Sequence, residues 1–251
     1  MGLLNRKTAI ITGAASLRGI GRKTAVRFAE EGARVAILDL DAKLAEAAAA
    51  DLPGTGHIGL ACNVVSRDAC FEASATVLAA LGSIDILVNN AGITQPVKLM
   101  DITPENYTAV TDVSLRGTLN MSQAVVPAMR QQQHGSIICL SSVSAQRGGG
   151  IFGGPHYSAA KAGVLGLGKA MARELGVDNI RVNSITPGLI QTDITQGKLT
   201  DEMRAEIIKG IPLHRLGDAL DGANACVFLA SDLSAYLTGI TLDVNGGMLI
   251  H

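Results

Sequence analysis

Short runs of wholly apolar, β-branched residues alternate along the chain with longer stretches whose apolar positions recur every three or four residues. The short runs predict strands at Thr8–Thr12, Arg34–Leu38, Ile58–Cys62, Ile84–Val88, Ser136–Leu140, Ile180–Ile185 and Thr241–Val244. Between them, Gly21–Glu31, Asp41–Asp51, Arg67–Leu81, Thr103–Gln131, Pro155–Leu175 and Gly217–Ala230 carry the helical period. The strands do not alternate apolar with polar, so both of their faces are expected to be covered. Strand–helix alternation of this regularity implies right-handed crossovers. The expected fold class is α/β, a doubly wound parallel seven-stranded sheet with helices on both faces. No linker, repeat or shift in composition divides the sequence, so residues 1–251 read as a single domain.

Composition narrows the possibilities. Hydrophobic residues make up 47% and charged residues 17%, a small charged surface for this length that hints at area buried between subunits. A net charge of -1 leaves no electrostatic footprint for nucleic acid or an anionic membrane. Cys62, Cys70, Cys139 and Cys226 are scattered without metal-ligand spacing and read as free thiols, so no metal is expected. No apolar run approaches a membrane span, and a strand begins before a signal-peptide core could form. A soluble, cytoplasmic protein is expected.

In sheets of this kind ligands sit outside the carboxyl ends of the strands. The first strand ends in Thr12-Gly13-Ala14-Ala15-Ser16-Leu17-Arg18-Gly19-Ile20-Gly21 and enters a helix, where glycines let backbone approach a pyrophosphate at a helix N-terminus. This is the pattern of a Rossmann fold, although the glycine spacing is not strict. Asp39 follows the second strand, 18 positions after Gly21, and is placed to accept from ribose hydroxyls, whereas Asp41 suits a helix cap. Tyr157-Ser158-Ala159-Ala160-Lys161 stacks a phenol and an ammonium on one helix face. A phenol titrates at about 10, and neighbouring cations would lower that value. Ser141 and Ser142 close the fifth strand, Asn89-Asn90-Ala91-Gly92 the fourth and Pro187-Gly188 the sixth.

With these motifs, Arg181-Val182-Asn183 and the closing Asn245-Gly246-Gly247, the sequence resembles the short-chain dehydrogenase/reductase family over its whole length. The resemblance implies an oxidoreductase that interconverts a secondary alcohol and its ketone. Tyr157 would exchange the proton with the substrate oxygen, Ser142 would hydrogen-bond that oxygen, and Lys161 would lower the tyrosine pKa and hold the nicotinamide ribose. Cofactor contacts are implied for Gly13, Arg18, Gly19, Ile20, Gly21, Asp39, Asn63, Val64, Asn90, Ala91, Gly92, Pro187, Gly188, Ile190 and Thr192. NAD(H) is expected from Asp39, while Arg18 resembles the basic residue that holds the extra phosphate of NADP(H). The small residues Gly163, Gly166, Gly168 and Ala170 lie on the helix that packs between subunits in this family, which implies a homotetramer.

Three departures bear on these expectations. Five residues separate Gly13 from Gly19, more than the family usually has, so the turn should bulge. Tyr157 lies 15 positions after Ser142, also longer than usual, with the excess in the glycine-rich stretch from Gly148 to Gly154. Ser114 stands where the family usually has an Asn that supports a water linking the lysine to solvent, and it is retained as a fourth catalytic candidate. Asn63 stands where an Asp commonly contacts adenine, and its carboxamide is expected to accept the same hydrogen bond. His156, about 100 degrees round the helix from Tyr157, reads as a packing or subunit contact. The substrate pocket is expected to include Thr94, Gln95, Gln146, Phe152, Ile190 and the Thr195–Ile211 segment, with Arg147 as the one candidate for an anionic substrate. Two other readings stand beside an NAD(H)-dependent alcohol dehydrogenase: an NADPH-dependent 3-oxoacyl carrier-protein reductase, and a catalytically silent dinucleotide-binding regulator.

Overall fold

The structure is a computed structural model that describes residues 2–149, 151–192 and 199–251. Its strands are β1 (Thr8–Thr12), β2 (Arg34–Asp39), β3 (Ile58–Ala61), β4 (Ile86–Asn89), β5 (Gly135–Leu140), β6 (Ile180–Pro187), β7 (Ile190–Gln191), β8 (Gly217–Asp218) and β9 (Thr241–Val244). The helices are α1 (Ile20–Glu30), α2 (Ala42–Ala50), α3 (Arg67–Leu81), α4 (Pro104–Thr111), α5 (Gly117–Gln132), α6 (Ser144–Arg147), α7 (Pro155–Leu175), α8 (Asp201–Lys209) and α9 (Ala219–Ala230). Seven strands form one parallel sheet in the order β3-β2-β1-β4-β5-β6-β9, the doubly wound arrangement expected. Alternate strand residues serve opposite faces. Ile10, Leu87 and Ile137 pack with α3, α5 and α7, whereas Ile11, Val88 and Ile138 pack with α1, α2 and α9. Both faces are thereby dry, which is why these strands read as continuously apolar.

The boundaries depart from the sequence pattern where side chains compete for the backbone. The strand expected at Ile84–Val88 starts two residues later, because the Gln132 carboxamide takes both the Ile84 amide (3.1 Å) and the Ile84 carbonyl (3.0 Å). Asp41 caps α2 as anticipated, accepting from Lys43 and Leu44 amides. The segment Gly217–Ala230 is divided: Gly217–Asp218 pairs with Ile190–Gln191, and Asp218 then caps α9. The helix α8 falls inside a segment expected only as pocket lining.

The largest correction concerns Thr103–Gln131, expected as one helix. Thr103 caps α4 reciprocally with Asn106, but residues Asp112–Arg116 form a π-helical turn before α5 begins. An extra residue in such a turn shifts the register of everything after it, and π-turns gather at functional sites. Ser114 lies at the centre of this one, buried to 1% exposure.

The small-residue series on α7 permits close approach within the chain. A Cβ at Gly163 would meet Leu115 at 2.9 Å and one at Gly168 would meet Ser184 at 2.9 Å, so both serve close packing within the chain. Only Gly166 has open space in front of it. The chain runs from β1 outward to β3 and then returns to place β4 on the other side of β1. That reversal opens a crevice at the carboxyl ends of the central strands.

Candidate active site

The loops after β1 and β4 are tied together across this crevice. The Thr12 hydroxyl accepts from the Asn90 and Ala91 amides at 3.1 and 3.0 Å. The Asn90 carboxamide donates to the Thr12 and Gly13 carbonyls, both at 2.8 Å. Gly13 adopts φ +62°, and a Cβ there would lie 2.8 Å from Ala91 Cα, so only glycine fits the turn without strain. Gly21, expected to contact cofactor, instead gives room to the Asn90 amide and does not line the cavity. Thr12, at the end of β1, thus ties the loops after β1 and β4 together.

Above this tie lies a cavity of about 480 Å³ running from Asp39 at one end to Tyr157 at the other. Gly19 precedes α1 without any side-chain cap, and a Cβ at Gly19 would meet nothing closer than 3.5 Å. Protein packing therefore does not require glycine there, and the free amides of the α1 N-terminus face open space suited to an anion. At the near end Asp39 accepts from the Ala15 amide (2.9 Å) and the Leu40 amide (2.8 Å), which fixes its carboxylate between the glycine turn and the cavity. Arg18 is exposed on the bulged turn and does not line the cavity. Asn63 and Val64 form another side, where Asn120 holds the Val64 and Val65 carbonyls at 2.9 and 3.1 Å. The Asn63 oxygen, expected to accept from a base, already accepts from the Val65 amide at 3.1 Å. This chain's own residues fit a dinucleotide: an uncapped helix terminus for phosphate, an anchored carboxylate for ribose hydroxyls and a loop for the base.

The far end carries the candidate chemistry. Ser142, Tyr157 and Lys161 all line the cavity, brought together by β5 ending beside the first turns of α7. The neighbouring Ser142 hydroxyl favours the ionised Tyr157 phenol, but burial outweighs this and holds the phenol above its ordinary value. Lys161, 5% exposed, donates to the Leu140 carbonyl at 2.7 Å, and its own carbonyl accepts from Ser141 at 2.7 Å. Burial pushes the Lys161 ammonium down to about 8. Burial, and not the expected influence of Lys161, sets the direction of the phenol's shift. Ser114 Oγ and Lys161 Nζ flank Gly92, where a Cβ would stand 3.6 and 3.1 Å from them. The Ser114 hydroxyl is buried without a protein partner, as a hydroxyl reserved for a water would be.

This combination of sheet, glycine turn, serine, tyrosine and lysine agrees with sequence comparisons. A family model described as Enoyl-(Acyl carrier protein) reductase matches residues 13–249. An uncharacterized short-chain type dehydrogenase/reductase of Sinorhizobium fredii is 66% identical over 99% of this chain and all of its own. The chain belongs to the short-chain dehydrogenase/reductase family. It is an NAD(P)-dependent oxidoreductase of that family. A 3-oxoacyl-[acyl-carrier-protein] reductase of Thermotoga maritima is 41% identical, covering 98% of this chain and 99% of that one. Among solved structures, a short-chain type dehydrogenase/reductase from Mycobacterium marinum superposes with a TM-score of 0.91 at 33% identity, over 99% of this chain and 97% of that one.

The family's substrate end differs here from the sequence expectation. Thr94, Phe152 and Ile190 line the cavity as anticipated, joined by Ile93, Val143, Ser144, Ile151 and Leu189. Gln95 and Gln146 do not: Gln95 meets His156 and Gln146 donates to Asp243 at 3.0 Å. Arg147 is exposed and outside the lining, so the one candidate for an anionic substrate is absent from it. Pro187, Gly188 and Thr192 line the cavity beside Ile190. Residues 195–198 of the expected pocket segment lie outside the described residues, and among the described residues no three His, Cys, Asp or Glu side chains gather for a metal. No described helix is long and apolar enough to cross a membrane.

Proposed function

We propose that this short-chain dehydrogenase/reductase interconverts a neutral, apolar secondary alcohol and its ketone, with NAD(H) preferred over NADP(H). The observation that carries this reading is the meeting of Ser142, Tyr157 and Lys161 at the end of a cavity whose described walls there hold no other charged side chain. Bound nicotinamide would supply or accept the hydride. Gly13, Gly19 and Ile20 would hold its phosphates, Asp39 the adenosine ribose, and Pro187, Gly188, Ile190 and Thr192 the nicotinamide end. Ser142 would orient the substrate oxygen, and Tyr157, kept protonated by burial, would donate to that oxygen in reduction. Lys161 and Ser114 would return the proton through a water in the space beside Gly92. NAD(H) is favoured because the Asp39 carboxylate is fixed by two backbone amides and would repel a 2′-phosphate. Screening neutral alcohols and ketones while following nicotinamide absorbance tests the proposal; turnover of carboxylated substrates alone would overturn it.

A second reading is favoured by the 41–43% identity to 3-oxoacyl-[acyl-carrier-protein] reductases: reduction of a 3-oxoacyl thioester. Reduction of an acetoacetyl thioester faster than of simple ketones would establish it. A silent regulatory role is disfavoured, since a protein that only binds dinucleotide needs no assembled Ser142, Tyr157 and Lys161. Assembly as a homotetramer in the cytoplasm remains part of the proposal, with light scattering as its check.

A further inference from the structure

The wall beside Tyr157 is stitched from two segments far apart in sequence. Thr94 donates its hydroxyl to the Phe152 carbonyl. The Gly154 amide donates to the Gln95 carbonyl at 3.0 Å. The Gln95 Oε1 then meets His156 Nε2 at 3.3 Å. With a carboxamide oxygen as acceptor, Nε2 carries the hydrogen. His156 stands in the first turn of α7. It is 3% exposed, and its Nδ1 has no partner. A buried imidazole that leaves one nitrogen unsatisfied is held there by what its other nitrogen does.

The segment so held is where the spacing between Ser142 and Tyr157 is lengthened. It also bears directly on the reacting groups. A Cβ at Gly153 would come within 2.5 Å of Tyr157 Cδ1, so this backbone is packed flat against the phenol ring. Thr94, Phe152 and Gly153 all line the cavity. We infer that His156 is a positioning residue which, by gripping Gln95, clasps the end of the lengthened loop to the loop after β4 and sets the width of the substrate site. The kinetic part of this inference rests on the alcohol and ketone chemistry proposed above; the clasp itself rests on the hydrogen bonds. An aromatic ring lacking nitrogen would occupy the same site and leave Gln95 without its donor.

Two variants separate packing from the clasp: His156→Phe keeps a buried aromatic ring, somewhat larger, without a donor, and His156→Gln places an amide nitrogen near the position of Nε2. In His156→Phe, exchange of the Gly154 amide should quicken by about tenfold. The KM for a branched ketone should rise by about tenfold with kcat within about threefold, the pattern of lost binding and not of lost chemistry. Cofactor affinity, measured by direct titration, should not change. His156→Gln should restore both readouts. Gln95→Leu removes the acceptor from a half-buried position and should reproduce His156→Phe, which keeps the test available if the phenylalanine variant fails to fold. The inference is overturned if Gly154 exchange stays unchanged without the clasp, if kcat falls while KM stays, or if His156→Gln behaves like His156→Phe. Should the native enzyme turn over no alcohol or ketone, the functional proposal fails on its own, and Gly154 exchange still decides the clasp.

Discussion

Lys161 points its buried ammonium at the carbonyl oxygen of Leu140, 2.7 Å away, and this one hydrogen bond does not offset its loss of hydration. The lysine pKa falls from 10.5 to about 8 in the folded protein. Between those values the unfolded chain binds more protons than the folded one, so stability rises with pH through that window. The expected gain is about 3 kcal/mol, since each unit is worth about 1.4. Above pH 10 the raised phenol of Tyr157 acts in the opposite sense. Lys161→Met should therefore be more stable than the native protein at pH 7 and lose the difference by pH 10. Denaturant titrations at pH 7, 8.5 and 10 check this; equal stabilities at pH 7 would contradict it.

Tyr157→Phe removes the proton carrier and leaves the rest of the cavity in place. General acid–base catalysis is worth about 10²- to 10⁴-fold, so kcat should fall by at least that range while nicotinamide binding persists. Near-native turnover by the folded variant would sink the proposed role.

Ser114 makes two separable predictions. Its hydroxyl has no protein partner, so Ser114→Ala should cost little stability yet slow proton return. Ser114→Asn should keep kcat within about tenfold of native, roughly 1.4 kcal/mol of barrier. A loss of folding in Ser114→Ala, or an unchanged rate, would show that the π-turn serves structure alone.

Asp39 decides the cofactor. Asp39→Ser should raise kcat/KM with NADPH and lower it with NADH, because the charge that opposes a 2′-phosphate is gone. The Ala15 amide would also lose its carboxylate acceptor, which adds to the loss with NADH. Higher efficiency of the native enzyme with NADPH than with NADH would mean that Arg18 outweighs the carboxylate.

Alcohol oxidation and ketone reduction should respond oppositely to pH. Reduction needs the phenol protonated, which burial favours, whereas oxidation needs it as a base. Initial rates from pH 6 to 10 should show oxidation rising and reduction falling; parallel profiles would place the proton elsewhere.

The seven strands, the two helix layers and the pairing of Tyr157 with Lys161 were legible in the sequence because each depends on local periodicity. An apolar run is a strand wherever both faces are covered, and positions i and i+4 share a helix face in any context. The residues that follow strands β1, β2 and β4 could also be nominated, since a parallel sheet gathers all of them at one edge. What those residues do to one another was not legible. Asn90 looks like a ligand-binding residue in sequence, yet its amide is spent on Thr12 and Gly13. Gln95, Gln146 and Arg147 were equally plausible pocket residues, and each turns to another partner or to solvent. The helical period through Thr103–Gln131 did not reveal the π-turn around Ser114, because the stretches on either side each keep a helical period and only the phase between them changes. Each of these outcomes was decided by contacts between segments tens of residues apart, where hydrogen-bond geometry across the crevice, and not the preference of any single stretch, selects the conformation.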